Sequence, residues 1–125
     1  MSAFSEAEQE YLRSQRLGRL ATAGADGKPH VVPVSFRHNP QTDTIDIGGH
    51  LFAERKKYRD VQANPWAAIV VDDLASVDPW RPRMLEVRGR AEVLPSGGSE
   101  LGPGFADEMM RIRPDRVVSY GITAD

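Results

Sequence analysis

The sequence predicts a mainly-β, α+β domain: a small antiparallel barrel or strongly curved sheet with short flanking helices. Three observations lead there. Five to seven short segments are β-branched or alternate between apolar and polar residues, with turn residues between them. The clearest, Met84 to Leu94, puts Leu85, Val87, Gly89, Ala91 and Val93 on one face and Glu86, Arg88, Arg90 and Glu92 on the other. Gly89 inside that run marks the bend or bulge that a small barrel needs. Helical stretches are few and short, which argues against a doubly wound parallel fold.

The elements follow in order. Ser5 and Glu8 form a capping-box pattern ahead of a helix predicted from Ser5 to about Leu17, with Tyr11 and Leu12 on its apolar face and Gly18 as its stop. Arg19–Thr22 is a short strand, and Gly24-Ala25-Asp26-Gly27 is a turn. His30–Arg37 is an extended strand, and Pro33, which lacks an N–H, demands an unpaired side or a bulge there. Thr44–Ile47 alternates and ends at Gly48-Gly49. Glu54–Ala63 reads as a basic helix closed by Asn64-Pro65. Trp66–Val71 is a buried strand with Trp66 as its anchor, and Asp72–Pro82 is a loop. After Met84–Leu94 come a loop over 95–104, a short helix over Phe105–Ile112 and a last strand over Arg116–Ile122.

At 125 residues the chain is one domain, 1–125. Such a domain buries about two-thirds of its unfolded surface. That suffices for one core, but hardly for a core plus a deep pocket enclosing a large cofactor. A large ligand therefore implies a groove shared with a second subunit. Sixteen Lys and Arg against eighteen Asp and Glu give a net charge of −2, so neither nucleic acid nor a membrane is expected as a partner. The chain has no cysteine, which excludes a disulfide framework, a thiolate metal site and a cysteine nucleophile, and accords with a cytoplasmic location. The N-terminal stretch lacks the apolar segment of a signal peptide. No apolar run approaches the ~20 residues that span a bilayer.

The strongest local feature is Arg55-Lys56-Lys57-Tyr58-Arg59, four of the sixteen cations in five positions. With Gly48-Gly49 and a helix start nearby, these charges and backbone N–H groups can converge on a phosphate. The alternative is a solvated helix face with Glu54 and Asp60 as partners. His30–Phe36 is the second candidate. A strand carrying Pro33 leaves backbone groups free for the polar edge of an isoalloxazine-type ring, and Ser35 adds a hydroxyl; a plain core strand is the alternative. Trp80, beside Arg81 and Arg83, can stack on a planar ligand or a partner subunit. The three histidines, His30, His38 and His50, have no metal-binding spacing, and no metal is expected. The chain lacks a nucleophile elbow, a P-loop and a G-x-G-x-x-G motif.

Taken as an ordered set these segments resemble the pyridoxamine 5′-phosphate oxidase-like superfamily, and more narrowly its small actinobacterial branch that uses the deazaflavin coenzyme F420. The matching pieces are Arg19-Leu20-Ala21-Thr22, Gly27 through Phe36, Gly48-Gly49, Arg55 through Val61 with Asn64-Pro65, Glu86 through Val93, and Ile112 through Gly121. They cover nearly the whole chain.

The resemblance implies a six-stranded antiparallel split β-barrel, homodimeric, with two cofactor grooves at the interface. It places His30, Val32, Pro33, Val34 and Ser35 along the cofactor's ring, with Gly49 nearby. It places Lys57 on the phosphate with Lys56 and Arg55 in support, and the Trp80 loop on the substrate side or in the partner's groove. The C-terminal extension with which the vitamin oxidases bind pyridoxine phosphate has no counterpart, so a different activity is implied. The implied function is an F420H2-dependent reductase that transfers a hydride to an activated C=C or C=N bond of a small conjugated organic substrate. The alternatives are an FMN-dependent oxidoreductase of the same fold and a non-catalytic protein that holds F420 or a tetrapyrrole. Lys28, Arg37 and Arg55 would extend a basic track for the polyanionic tail of F420. No catalytic side chain is assigned; water, Tyr58, Tyr120 and His50 are the proton sources to consider.

Overall fold

The computed structural model describes residues 1–122. Six strands, β1 (Leu17–Ala23), β2 (Pro29–Asn39), β3 (Thr44–Gly48), β4 (Trp66–Ser76), β5 (Arg81–Leu94) and β6 (Met109–Tyr120), close into an antiparallel barrel in the order β1-β2-β3-β6-β5-β4. Two helices flank it, α1 (Glu6–Ser14) and α2 (Lys56–Ala63). This is the six-stranded barrel with short helices that the resemblance implies.

Alternation builds the interior. Leu20, Ile69, Val71, Leu85, Val87, Ala91, Met110 and Ile112 are buried in the core, and apart from Met109, which is buried too, their strand neighbours are more exposed. Strand β3 is buried along its whole length, because β2, β6 and the 95–108 loop enclose it. The capping box of α1 is present: Ser5 Oγ accepts from Glu8 N–H at 3.1 Å, and Glu8 Oε1 accepts from Ser5 N–H at 2.8 Å. Tyr11 and Leu12 carry that helix onto the core.

Gly89 forms the predicted bend. The register between β5 and β6 shifts at Arg88/Gly89, and a Cβ on Gly89 would stand 1.9 Å from the Arg113 carbonyl oxygen. Pro33 also behaves as expected. Residues 29–34 of β2 pair with β1 alone, and pairing with β3 begins only at Ser35–Gly48.

Several features differ from the sequence reading. Helix α1 ends at Ser14, and Gly18 lies inside β1, where a Cβ would meet Ile69 Cδ1 at 2.9 Å; Gly18 serves packing rather than capping. Residues 105–112 are not a helix. Their Ala, Glu, Met and Arg favour one locally, but Met110 and Ile112 pair with Ile47 and Ile45 of β3, and the sheet prevails. Most of Asp72–Pro82 is strand, because polar residues of β4 and β5 pair with each other, Asp73 opposite Arg83. Trp66 begins β4 but is half exposed rather than buried in the core.

Candidate functional site

The open half of β2 is the foundation of the site. With β1 on one side only, the other edge of residues 29–34 keeps backbone groups that no strand consumes. Strand β3 stops at Gly48, and the chain turns through Leu51 in the left-handed region (φ 50°) and a 3₁₀ turn at Phe52–Glu54 into α2. The start of α2 is thereby carried to the open edge. The loop before β6 folds back from the other side, where Ala106 N–H donates to the Gly49 carbonyl at 2.9 Å. The result is a groove of about 430 Å³.

His30, Val32, Pro33, Val34 and Ser35 of β2, Gly49, and Arg55, Lys56 and Lys57 all line it, so nine residues singled out from the sequence converge there. Trp80 does not line this groove. It lies at the tip of the β4–β5 hairpin in a separate cleft with Arg83 and Tyr120. Gly48, His50 and Phe105 complete the groove, the rings of His50 and Phe105 edge to face at 5.4 Å. Phe105 escapes sequence reasoning because its groove neighbours, Gly48 and His50, are distant in the chain. Its one signal is the Gly102-Pro103-Gly104 turn that aims it back at Gly48-Gly49.

The cations of the basic run have separate roles. Lys56 Nζ donates to Asp60 Oδ1 at 2.8 Å, one helical turn on, and its charge is compensated. Arg59 Nη1 donates to the Glu54 carbonyl at 2.9 Å, and Arg59 lies outside the groove lining. Arg55 Nε donates to the His50 carbonyl at 3.3 Å and leaves the rest of its guanidinium for other acceptors. Lys57 is half-buried with its Nζ 5.3 Å from the Phe52 ring centroid. Among the described residues neither Lys57 nor Arg55 has a carboxylate partner. Burial, and then the neighbouring charge of Arg55, lower the Lys57 ammonium from its ordinary value. An anion in the groove relieves both effects, so Lys57 and Arg55 are the pair with unspent attraction.

Beneath them lies Asp60, buried on α2. Burial alone would raise its carboxyl, but hydrogen bonds from Lys56 and Thr22 and the charge of Lys56 hold it below the ordinary carboxylate value. No cluster of metal-ligating side chains occurs among the described residues. Among the described residues no helix is long and apolar enough to cross a membrane.

Residues 4–117 match the family model for pyridoxamine 5′-phosphate oxidase. Over 122 residues the chain is 47% identical to a 5a,11a-dehydrotetracycline/5a,11a-dehydrooxytetracycline reductase of Streptomyces rimosus, a match that covers 98% of this chain and 86% of that protein. Among solved structures it is similar to a conserved hypothetical protein of Mycobacterium tuberculosis, with a TM-score of 0.74 and 20% identity over 96% of this chain and 86% of that one. It is also similar to an FAD-binding protein of Mycobacterium smegmatis, with a TM-score of 0.66 and 22% identity over 94% of this chain and 96% of that one. At these identities the structural likeness is one of fold.

Proposed function

The chain belongs to the pyridoxamine 5′-phosphate oxidase family, and from that premise we propose that it is an F420H2-dependent reductase of an activated C=C or C=N bond in a small conjugated molecule. It is an oxidoreductase, as its family and its reductase relative are.

One observation carries it: an open strand edge and two uncompensated cations, Arg55 and Lys57, share one groove. That pairing fits a flat ring with a polar edge joined to an anionic tail. Reduced F420 supplies a hydride when bound. Backbone groups of Val32 and Val34 and the Ser35 hydroxyl orient the ring's polar edge, Pro33 keeps that edge free of a neighbouring strand, and Lys57 and Arg55 fix the charged end. Gly49 leaves room beside the ring. Lys28 and Arg37, exposed before and within β2, lie outside the groove lining and would extend the positive charge beyond it for a polyglutamylated tail. The relative that reduces a dehydrotetracycline supports a conjugated substrate. His50 lines the groove, whereas Tyr120 lies in the Trp80 cleft and Tyr58 packs on Phe52, so His50 or water is the better proton source.

FMN in the same groove is the second reading. The observation that favours it is compactness, because the two uncompensated cations, Arg55 and Lys57, are close enough to feel each other's charge in the groove lining, as a single phosphate requires.

We also propose that the chain works as a homodimer through the outer face of β1, β2 and β4. Ala21 stands opposite Val31 and Ala68 in the sheet, and Leu17, Val31 and Trp66 are each at least half exposed on these strands. Trp80, outside its own chain's groove, would then serve the partner's. Sedimentation of the purified chain tests this, and a monomer at micromolar concentration refutes it.

The cofactor is tested by titrating apo-protein with F420 and with FMN, followed by visible absorbance. Saturation by F420 is expected; tight FMN binding with none of F420 reverses the choice.

A further inference from the structure

Asp60 is a hub that the proposed cofactor contacts do not explain. It is 5% exposed, and residues of three elements surround its oxygens. Oδ1 accepts from Lys56 on α2 at 2.8 Å, and Oδ2 accepts from Thr22 Oγ1 on β1 at 2.9 Å. His30 Nδ1 on β2 lies 3.9 Å from Oδ2, too far for a hydrogen bond. That nitrogen is buried and has no partner among the described residues. The His30 side chain is nevertheless 28% exposed and lines the groove, so its open part faces the ligand space and Nε2 is the ring nitrogen left for it. Gly24 preserves the arrangement, since a Cβ there would stand 2.8 Å from Asp60 Oδ1.

A neutral imidazole carries one N–H and cannot donate both to Asp60 and to a ligand. An imidazolium donates on both sides. The groups facing His30 are Asp60 and Lys56 of α2, Arg55 and Lys57 at the start of that helix, and His50 across the groove; β1 presents Thr22, which does not titrate. Three of these neighbours are cations that oppose a further positive charge while the groove is empty of anions. An anion between Lys57 and Arg55 reverses that balance.

We propose that His30 and Asp60 make anion binding in this groove proton-linked: His30 takes one proton from solvent as the anion arrives and becomes its third cationic ligand, with Asp60 as the positioning residue that receives the other N–H. The inference rests on the reading that the groove holds the anionic end of a cofactor. It adds that affinity falls with rising pH through the imidazole range, because His30 must then be charged at greater cost.

Sulfate is the probe, since it keeps its charge throughout that range and any proton exchanged belongs to the protein. Apo-protein carrying ¹⁵N-labelled histidine is titrated with sulfate at about pH 7.5, above the ordinary imidazole range, with chloride at equal ionic strength as the control. The chain has only three histidines, and H30Q assigns the signal. The His30 nitrogens should move to the imidazolium pattern with sulfate and not with chloride. In D60N, sulfate should still shift the Lys57 amide while His30 stays neutral. Sulfate that shifts the Lys57 amide without charging His30 overturns the inference, as does sulfate that perturbs nothing in the groove; charging that persists in D60N removes Asp60 from it. F420 titrations across pH separate this inference from the cofactor reading. Uptake of one proton weakens binding by up to about tenfold per pH unit, and H30Q should flatten that slope. Sulfate charging His30 in a protein that binds neither F420 nor FMN leaves the inference standing and ends the cofactor reading. F420 binding with the same slope in wild type and H30Q does the opposite.

Discussion

Two buried carboxylates, Asp46 on β3 and Asp60 on α2, solve the same electrostatic problem to different ends. Asp46 is 1% exposed and saturated: Oδ1 accepts from Arg111 Nε at 2.9 Å and Thr44 Oγ1 at 2.8 Å, and Oδ2 accepts from Arg111 Nη2 and Asn39 Nδ2, both at 3.1 Å. Every donor that reaches it comes from the barrel wall, and nothing is left over. Asp60 is nearly as buried, yet its network stays open, with half-exposed Lys56 on one oxygen and an unbonded His30 nitrogen beside the other. The saturated cluster ties β2, β3 and β6 together, whereas the open one borders the groove. A buried charge that is fully satisfied reports on the fold, and one left partly unsatisfied points to a ligand.

The largest effect that separates them is on stability. Asp46→Ala leaves the Arg111 guanidinium and the Asn39 and Thr44 donors without their acceptor, and truncating one partner of a buried pair is strongly destabilising. Arg111 retains some water access, so the cost should sit near the lower end, about 3 kcal/mol, measured by urea unfolding. Cofactor affinity per folded molecule should not change. An equal loss of binding would mean that the β3–β6 wall belongs to the site.

Lys57→Ala should do the reverse. Removing a charge-assisted hydrogen bond to an anion costs about 1.5–3 kcal/mol, roughly ten- to hundredfold in cofactor Kd, with urea stability within about 0.5 kcal/mol of wild type. Lys56→Ala should cost less binding than Lys57→Ala, because its ammonium is already committed to Asp60. Equal losses would show that the ion pair opens when ligand arrives.

The comparison has an acid limb as well. Burial pushes the Asp46 carboxyl up, but the hydrogen bonds from Arg111, Asn39 and Thr44 and the charge of Arg111 outweigh it, and the group is held below its ordinary value of 3.8. The unfolded chain therefore binds the proton first. The stability that Asp46 contributes is complete above that value and declines as pH falls through the lower folded-state value. Urea midpoints followed downward from pH 5 should decline in wild type, and the decline should be shallower in Asp46→Asn. A parallel decline would assign the acid limb to the other depressed carboxylates, Asp43, Asp60 and Asp73.

How much of this is legible in the sequence depends on whether the cause is local. The β5 alternation and the Gly89 bend are local patterns, and Pro33 foretells an open strand side because a missing N–H has the same consequence in any fold. The groove's list of residues is nearly legible for that reason. Other features are not. Residues 105–112 have helical propensity, and pairing with β5 on one side and with the sequence-distant β3 on the other makes strand the better state of their second half. Trp80 has the chemistry of a ligand contact, but closure of the barrel carries its hairpin to a different cleft. The open Asp60 network is likewise invisible in one dimension. The sequence spaces Lys56 and Asp60 as a helical pair, but nothing in it says that Thr22 and His30 meet the same carboxylate.

The basic run gives the sharpest small test, because composition cannot rank its four cations and geometry can. Arg59 is exposed, and its Nη1 donates to the Glu54 carbonyl, capping the end of the 3₁₀ turn rather than facing the groove. Arg59→Gln should leave cofactor Kd and urea stability within about 0.5 kcal/mol of wild type, even though it removes one full charge only two residues from Lys57. Screening at physiological salt, with a Debye length of about 8 Å, leaves a solvated charge little influence on an anion it does not touch. A loss comparable to that of Lys57→Ala would mean that the groove attracts its ligand through the summed charge of residues 55–59, and the distinction between compensated and uncompensated cations would lose its force.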